Sequence, residues 1–217
     1  MSAENPIHTT ITVFASAELF HVARVLALEA QTDPVKAIAA VPMAAAAIEA
    51  YLNDLAHWTR HISRPQSEEW YFAELYEYAE EARRPALHRA ELVSRVFGRK
   101  RPDLGSPLWQ NLALLFQVRD AMMHKRPETW SSDESKPMPT ERIGSELLRK
   151  KIATRPDPLS SNERAVPLAQ IVAQPSVARW AFNTAVDAWQ EIMHLLPKSI
   201  KFIAFTGAQP MKLDRLE

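Results

Sequence analysis

Residues 106–127, SPLWQNLALLFQVRDAMMHKRP, constrain the fold more than any other stretch of the chain. Ser106 stands where a helix N-cap accepts a backbone N–H. Pro107 follows at the first helical position, where a missing N–H costs nothing. Pro127 disfavours helical geometry in Arg126 and marks the end. The helix between these signals runs for roughly 18 residues, about 27 Å at about 1.5 Å per residue. At about 100° per residue, Leu108, Leu112, Leu115, Val118 and Met122 form one apolar stripe, which Trp109, Phe116 and Met123 widen. Gln110, Gln117, Asp120 and His124 line the opposite side, and Ala113, Leu114 and Ala121 fill much of the remainder. A helix this apolar belongs at the centre of a bundle, or between a core and a subunit interface. Arg119 falls inside the stripe. A buried guanidinium there requires a carboxylate, a partner subunit or a bound anion, and function is expected at that misfit.

The second strong element covers residues 35–61. Ile38, Val41, Ala45, Ile48, Leu52 and Leu55 recur at alternating steps of three and four, the pattern of a buried seam. Alanines at 39, 40, 44, 46, 47 and 50 thin this helix for close neighbours, and Pro42 is expected to kink or restart it. Glu49 and Asn53 lie one turn apart beside the seam. Before it, residues 16–31 read as an amphipathic helix with Leu19, Val22, Val25 and Leu26 facing inward. After it, residues 67–81 are acidic and aromatic, followed by Arg83, Arg84, Arg89, Arg95, Arg99, Lys100 and Arg101. Two readings fit those blocks: solvated faces of opposite sign that pair with each other, or a basic wall guiding an RNA backbone. The remaining helices are expected at 141–153, 168–174 and 176–196, with loops at 128–140 and 154–167. Residues 7–14 and 198–205 alternate weakly, which fits a minor terminal β-hairpin; a loose N-terminal arm fits the first equally well.

The whole reads as one all-α domain over residues 1–217, a helical bundle of about six to eight helices built around the Ala-rich helix and the central apolar helix. A composition that is 47% hydrophobic and 24% charged suffices for a buried core. The formal net charge is zero, so a nucleic-acid site must be a local patch. There are no cysteines, which excludes disulfides, thiolate catalysis and cysteine-ligated metal and fits a reducing cytoplasm. No basic leader segment is recognisable, and residues 14–30 carry Glu18, His21, Arg24 and Glu29, so neither a signal peptide nor a membrane span is expected there. The four glycines form no phosphate-cradling loop, and no cofactor is expected. Asp54, His57 and His61 share one helix face, but no fourth ligand accompanies them, so no metal site is expected.

Near the end of the central helix stands Arg119-Asp120-Ala121-Met122-Met123-His124, an R-x4-H motif. A second occurrence, Arg83 to His88, contains Pro85 at a helix boundary and is set aside. The first motif closes an apolar helix, precedes Lys125-Arg126-Pro127 and follows AAAAIEAYLNDLAHW, a long helix with an acidic residue inside an apolar run. In these features the chain resembles the HEPN family (higher eukaryote and prokaryote nucleotide-binding domains) over residues 35–127, with residues 141–217 as a helical extension.

The resemblance implies a helical bundle acting as a homodimer and a metal-independent endoribonuclease, with the motifs of both subunits lining one cleft. Under it, Arg119, His124 and Asp120 are the catalytic candidates, Lys125 and Arg126 hold flanking phosphates, and Glu49 and Asn53 support them. The chemistry is coherent on its own terms. Attack by the RNA's 2′-hydroxyl needs a group to take a proton and one to protonate the leaving 5′-oxygen, roles open to histidine near neutral pH. The crowded phosphorane needs a fixed positive charge, which guanidinium supplies. The products are a 2′,3′-cyclic phosphate and a 5′-hydroxyl. Arg119 and His124 stand about 140° apart on an ideal helix, so two helices meeting across a dimer axis suit one phosphate better than one helix does. Asp120 departs from the Asn, His or other polar residue common after the family's arginine. Three readings of its carboxylate stay open: it orients His124, pairs with Lys125 or repels RNA. Glu49 is the natural buried partner for Arg119. Such an enzyme fits a cytoplasmic toxin or phage-defence effector held by an antitoxin-like protein. The alternative is a non-catalytic helical dimer that binds nucleotide, RNA or a protein, without a membrane.

Overall fold

A computed structural model describes residues 15–123, 139–156, 167–198, 200–201 and 212–213. Among these residues the chain forms eight helices: α1 (Ala15–Glu29), α2 (Pro34–Ile62), α3 (Glu68–Glu81), α4 (Ala86–Val96), α5 (Pro107–Met123), α6 (Pro139–Arg149), α7 (Leu168–Val172) and α8 (Pro175–Leu195). The bundle is all-α.

α2 is the axis of the assembly. It packs against α1, α8, α3 and α5. The Asp33 carboxylate caps it by accepting from Val35 N at 2.9 Å, and Pro34 fills its first turn. Val41, Ala45, Ile48, Leu52 and Leu55 of the expected seam are buried to 0–1% exposure. The helix continues through Pro42 without a restart, because neighbouring helices hold it on several sides. α2 also has the length and hydropathy of a membrane-crossing helix, yet half of its most apolar window is already covered by the other helices, the condition of a core helix.

α1 buries a different face from the one its largest apolar residues suggest. Phe20, Ala23 and Ala27 point inward with Ala30 just beyond, while Val22 is 40% exposed and Leu19 and Leu26 are half-covered. The alanine edge lets α1 lie close along the equally alanine-rich α2. Its first turn is fixed by the Asp54 carboxylate, which accepts from Ser16 N at 3.2 Å.

α5 lies against α2 and α8. The carbonyl of Ser106 accepts from Gln110 N at 3.0 Å to open the helix. Leu112, Leu115 and Val118 are fully buried, and Trp109, Leu114 and Phe116 nearly so, whereas Met123 at the described end is 62% exposed. α6 follows, and Lys150 just beyond its end ties it to α5 by donating from Nζ to Gln110 Oε1 at 3.2 Å. α8 closes the core with Val177, Ala181, Phe182, Ala185 and Val186. Its Asn183 side chain clasps the backbone N–H and C=O of Leu213 at 2.8 and 2.9 Å.

The described part of the C-terminal segment corrects the expected hairpin. Lys198, Ile200 and Lys201 are helical, and the N–H groups of Ile200 and Lys201 bond to the Pro197 carbonyl at 3.1 and 3.0 Å. Proline preorganises this turn at the exit of α8. Residues 7–14 and 202–205, the remainder of the hairpin, lie outside the described residues.

Candidate functional site

The misplaced charge of α5 meets α2. Arg119 Nη1 donates to Glu49 Oε2 at 2.5 Å, and its Nε donates to Asp120 Oδ1 at 2.7 Å. The guanidinium lies 5.3 Å from the centre of the Phe116 ring, within cation–π reach. The side chain keeps 19% of its surface exposed. Of the three partners that a guanidinium in the apolar stripe requires, the structure supplies the carboxylate from the same chain. Burial works against the charge on Arg119, but Glu49 and Asp120 together outweigh it and hold its pKa above the ordinary guanidinium value.

Glu49 is shared between two arginines. Its Oε1 accepts from Arg89 Nη2 of α4 at 3.3 Å, on the side away from Arg119. Arg89 Nη1 stands 3.2 Å from the Tyr76 hydroxyl oxygen, 3.4 Å from Asn53 Oδ1 and 3.6 Å from Glu80 Oε1. Its guanidinium lies 5.6 Å from the Tyr76 ring centre. Arg89 Nε is buried and has no hydrogen-bond partner among the described residues. Tyr76 donates its hydroxyl proton to Asn53 Oδ1 at 2.5 Å. Burial pushes the Tyr76 hydroxyl far above the usual phenol range, with Arg89 partly opposing the shift. The group therefore remains a neutral donor.

Four helices thus contribute to one polar cluster: Glu49 and Asn53 from α2, Tyr76 and Glu80 from α3, Arg89 from α4, and Arg119 and Asp120 from α5. The inner part holds Arg89, Arg119 and the Glu49 between them, with side-chain exposures of 13%, 19% and 22%. Glu80 and Asp120 form the outer rim, each 57% exposed.

Asn53 is in this cluster, but it faces Tyr76 and Arg89 and not the arginine of the motif it was expected to support. His124, Lys125 and Arg126 lie outside the described residues, which stop one residue short of His124 in this part of the chain. Asp54 is engaged with the start of α1, and the His57 and His61 rings lie against each other with centroids 4.3 Å apart and planes inclined at 60°. No group of three metal-binding side chains exists among the described residues. Several members of the arginine run pair with acidic residues: Arg95 with Glu91 at 3.0 Å and Arg99 with Glu68 at 3.2 Å, while Arg60 of α2 reaches Glu74 at 3.6 Å.

Arg89 and Tyr76 escape a reading of the sequence alone. A signal for Arg89 exists: Ala86, Ala90 and Val93 mark the inward face of α4, and Arg89 falls on that same face at helical spacing. Its membership in a run of arginines hides that position. No protein-family model matches the chain, and neither a characterised protein nor a solved structure matches it.

Proposed function

We propose that the chain is a HEPN-like, metal-independent endoribonuclease that works as a cytoplasmic homodimer, in the manner of a toxin or phage-defence effector under the control of an antitoxin-like protein. The observation that carries this reading is Arg119, the arginine of the R-x4-H motif. It is held charged and in one orientation by Glu49 and Asp120 near the end of the helix that leads to His124. A partly exposed guanidinium fixed by carboxylates is preorganised to face a developing negative charge.

In the proposed reaction the 2′-hydroxyl attacks the neighbouring phosphorus and the P–O5′ bond breaks. His124 of one subunit takes the hydroxyl proton and, as the imidazolium, delivers it to the departing 5′-oxygen. Arg119 stabilises the phosphorane, while Lys125 and Arg126 hold adjacent phosphates. Asp120 accepts a hydrogen bond from Arg119, which favours the aspartate as a positioning group for the arginine. The test is incubation of RNA in EDTA with wild-type protein and with an Arg119→Ala/His124→Ala double variant. Cleavage to 2′,3′-cyclic phosphate ends by the wild type alone is the expected result, and equal absence of cleavage in both overturns the enzyme.

One observation favours the second reading, a non-catalytic helical dimer that binds nucleotide, RNA or a protein. Arg119 Nη1 and Nε already donate to carboxylates of its own chain, as in a structural ion-pair network. A nucleotide-dependent rise in melting temperature without turnover selects this reading.

A further inference from the structure

The Glu49 carboxylate bridges two guanidinia, one oxygen to each: Oε2 to Arg119 Nη1 at 2.5 Å and Oε1 to Arg89 Nη2 at 3.3 Å. The two non-bridging oxygens of a phosphodiester present the same pattern of paired acceptors on one charged centre, and guanidinium pairs bind both anions by the same geometry. Arg89 is prepared for such a role in ways that a simple ion-pair partner is not. Tyr76 and Asn53 hold one of its nitrogens at 3.2 and 3.4 Å, the Tyr76 ring supports its plane, and its Nε is left without an acceptor. The contact to Glu49 is long on the Arg89 side and short on the Arg119 side, so the carboxylate leans toward Arg119, and the second carboxylate near Arg89, Glu80 on the exposed rim, stands 3.6 Å away.

We propose that Arg89 and Arg119 together form a phosphodiester seat, and that Glu49 is its internal occupant, displaced when an RNA phosphate enters. This rests on the reading of the chain as an RNA-cleaving enzyme and adds a residue outside the R-x4-H motif to it. Arg89 holds the phosphate beside the one attacked, or the same one from the α4 side; either way it binds RNA and moves no proton. Glu49 sets a threshold: only an anion that engages both guanidinia replaces it.

The experiment measures binding of a short, fully 2′-O-methylated RNA, which cannot be cleaved, to intact wild type and to Glu49→Ala, Arg89→Gln and Glu49→Ala/Arg89→Gln. An exposed carboxylate outside the cluster, Glu18→Gln on α1, controls for the loss of one negative charge. Glu49→Ala should bind about tenfold more tightly than wild type, the scale of a charge-assisted hydrogen bond gained. The Glu18 variant should match wild type, and Arg89→Gln should cancel most of the gain in the double variant, a non-additivity that a general charge effect does not produce. Dimethyl phosphate, at constant ionic strength against chloride, should raise the melting temperature of Glu49→Ala more than that of wild type. Should Glu49→Ala fail to fold, Glu49→Gln is read in its place, with a smaller gain of the same sign. Equal RNA binding by wild type and the Glu49 variants, or a gain that persists without Arg89, overturns the seat. Cleavage by wild type that is indifferent to both residues removes the seat and leaves the enzyme. A gain in binding through Arg89 with no cleavage by wild type removes the enzyme and leaves the seat.

Discussion

At the scale of single residues the polar cluster makes its clearest demand on Tyr76. The side chain is 1% exposed and donates to Asn53 at 2.5 Å, so its proton is retained in the fold well above pH 10.0, the ordinary phenol value. The unfolded chain releases that proton as the pH passes about 10. Above that point the native state binds more protons than the unfolded state, and stability falls with rising pH by up to about 1.4 kcal/mol per unit for this group. Its contribution is complete below the unfolded value and is lost toward the folded one. Tyr76→Phe removes both the hydrogen bond and the proton. The variant should be less stable than wild type by about 1 kcal/mol at pH 8, and the gap should close or reverse by pH 11. Tyr51, raised by burial in the same direction, is common to both proteins and cancels. Urea denaturation at the two pH values checks this, and an unchanged gap counts against a buried, proton-holding Tyr76. Glu49 gives a second prediction at the same scale. Removing a buried ion-pair partner leaves uncompensated charge, and partial exposure here moderates the cost to about 2–3 kcal/mol in Glu49→Ala. Glu49→Gln, which keeps one acceptor for Arg119, should lose less, and thermal unfolding compares the two.

Among the elements, α4 and its exit are the most sensitive to a small change. At Gly98 an added Cβ would lie 2.6 Å from the Ser94 carbonyl oxygen and 3.2 Å from Leu195 Cδ2. The first of these is backbone at the end of α4 and cannot step aside, so Gly98→Ala should cost about 1–3 kcal/mol and lower the urea midpoint with the slope unchanged. Gly105→Ala, which meets only an Asp103 side-chain oxygen at 3.1 Å, should stay close to wild type. The contrast also shows what a sequence can carry. Long apolar periodicity is a strong signal, and it placed most of the seam of α2 and of the stripe of α5 on buried residues, with Ile38, Leu108 and Met122 partly covered and Met123 exposed. It failed on α1, where the small Ala23 and Ala27 and not Val22 face the core, because close helix contact rewards small side chains that a hydrophobicity pattern discounts. It failed at the start of the strand expected over 198–205, where Lys198, Ile200 and Lys201 are helical, because a short apolar run does not separate a strand from a turn of helix. The site divides along the same line. Arg119 announces its need for a carboxylate by standing in an apolar stripe, and Glu49 is a credible partner from its place beside the seam. Arg89 and Tyr76 join only once it is known that α3 and α4 pack on the same end of α2, and that is tertiary information.

For the whole molecule, the decisive question is whether the proposed chemistry belongs to one chain or to two. Positions 119 and 124 point about 140° apart on an ideal helix, and within its own chain the Arg119 side chain turns toward α2. A single subunit therefore aims poorly at one phosphate with both groups, whereas two subunits related by a two-fold axis offer the arginine of one and the histidine of the other. Arg119→Ala and His124→Ala should each be inactive alone. Mixed, unfolded together and refolded to allow exchange, they should recover activity, since the heterodimer retains one complete arginine–histidine pair across the axis. Random pairing makes about half of the molecules heterodimers, and each carries one of the two composite sites, so recovery near a quarter of the wild-type rate is expected from counting sites. The wild-type rate per chain should also fall on dilution once the dimer dissociates, at the concentration where size-exclusion light scattering reports the monomer. No recovery on mixing, combined with a per-chain rate that is constant on dilution, assigns both groups to one chain and removes the shared cleft. Recovery places Arg119, held ready by Glu49, opposite the histidine of a second copy.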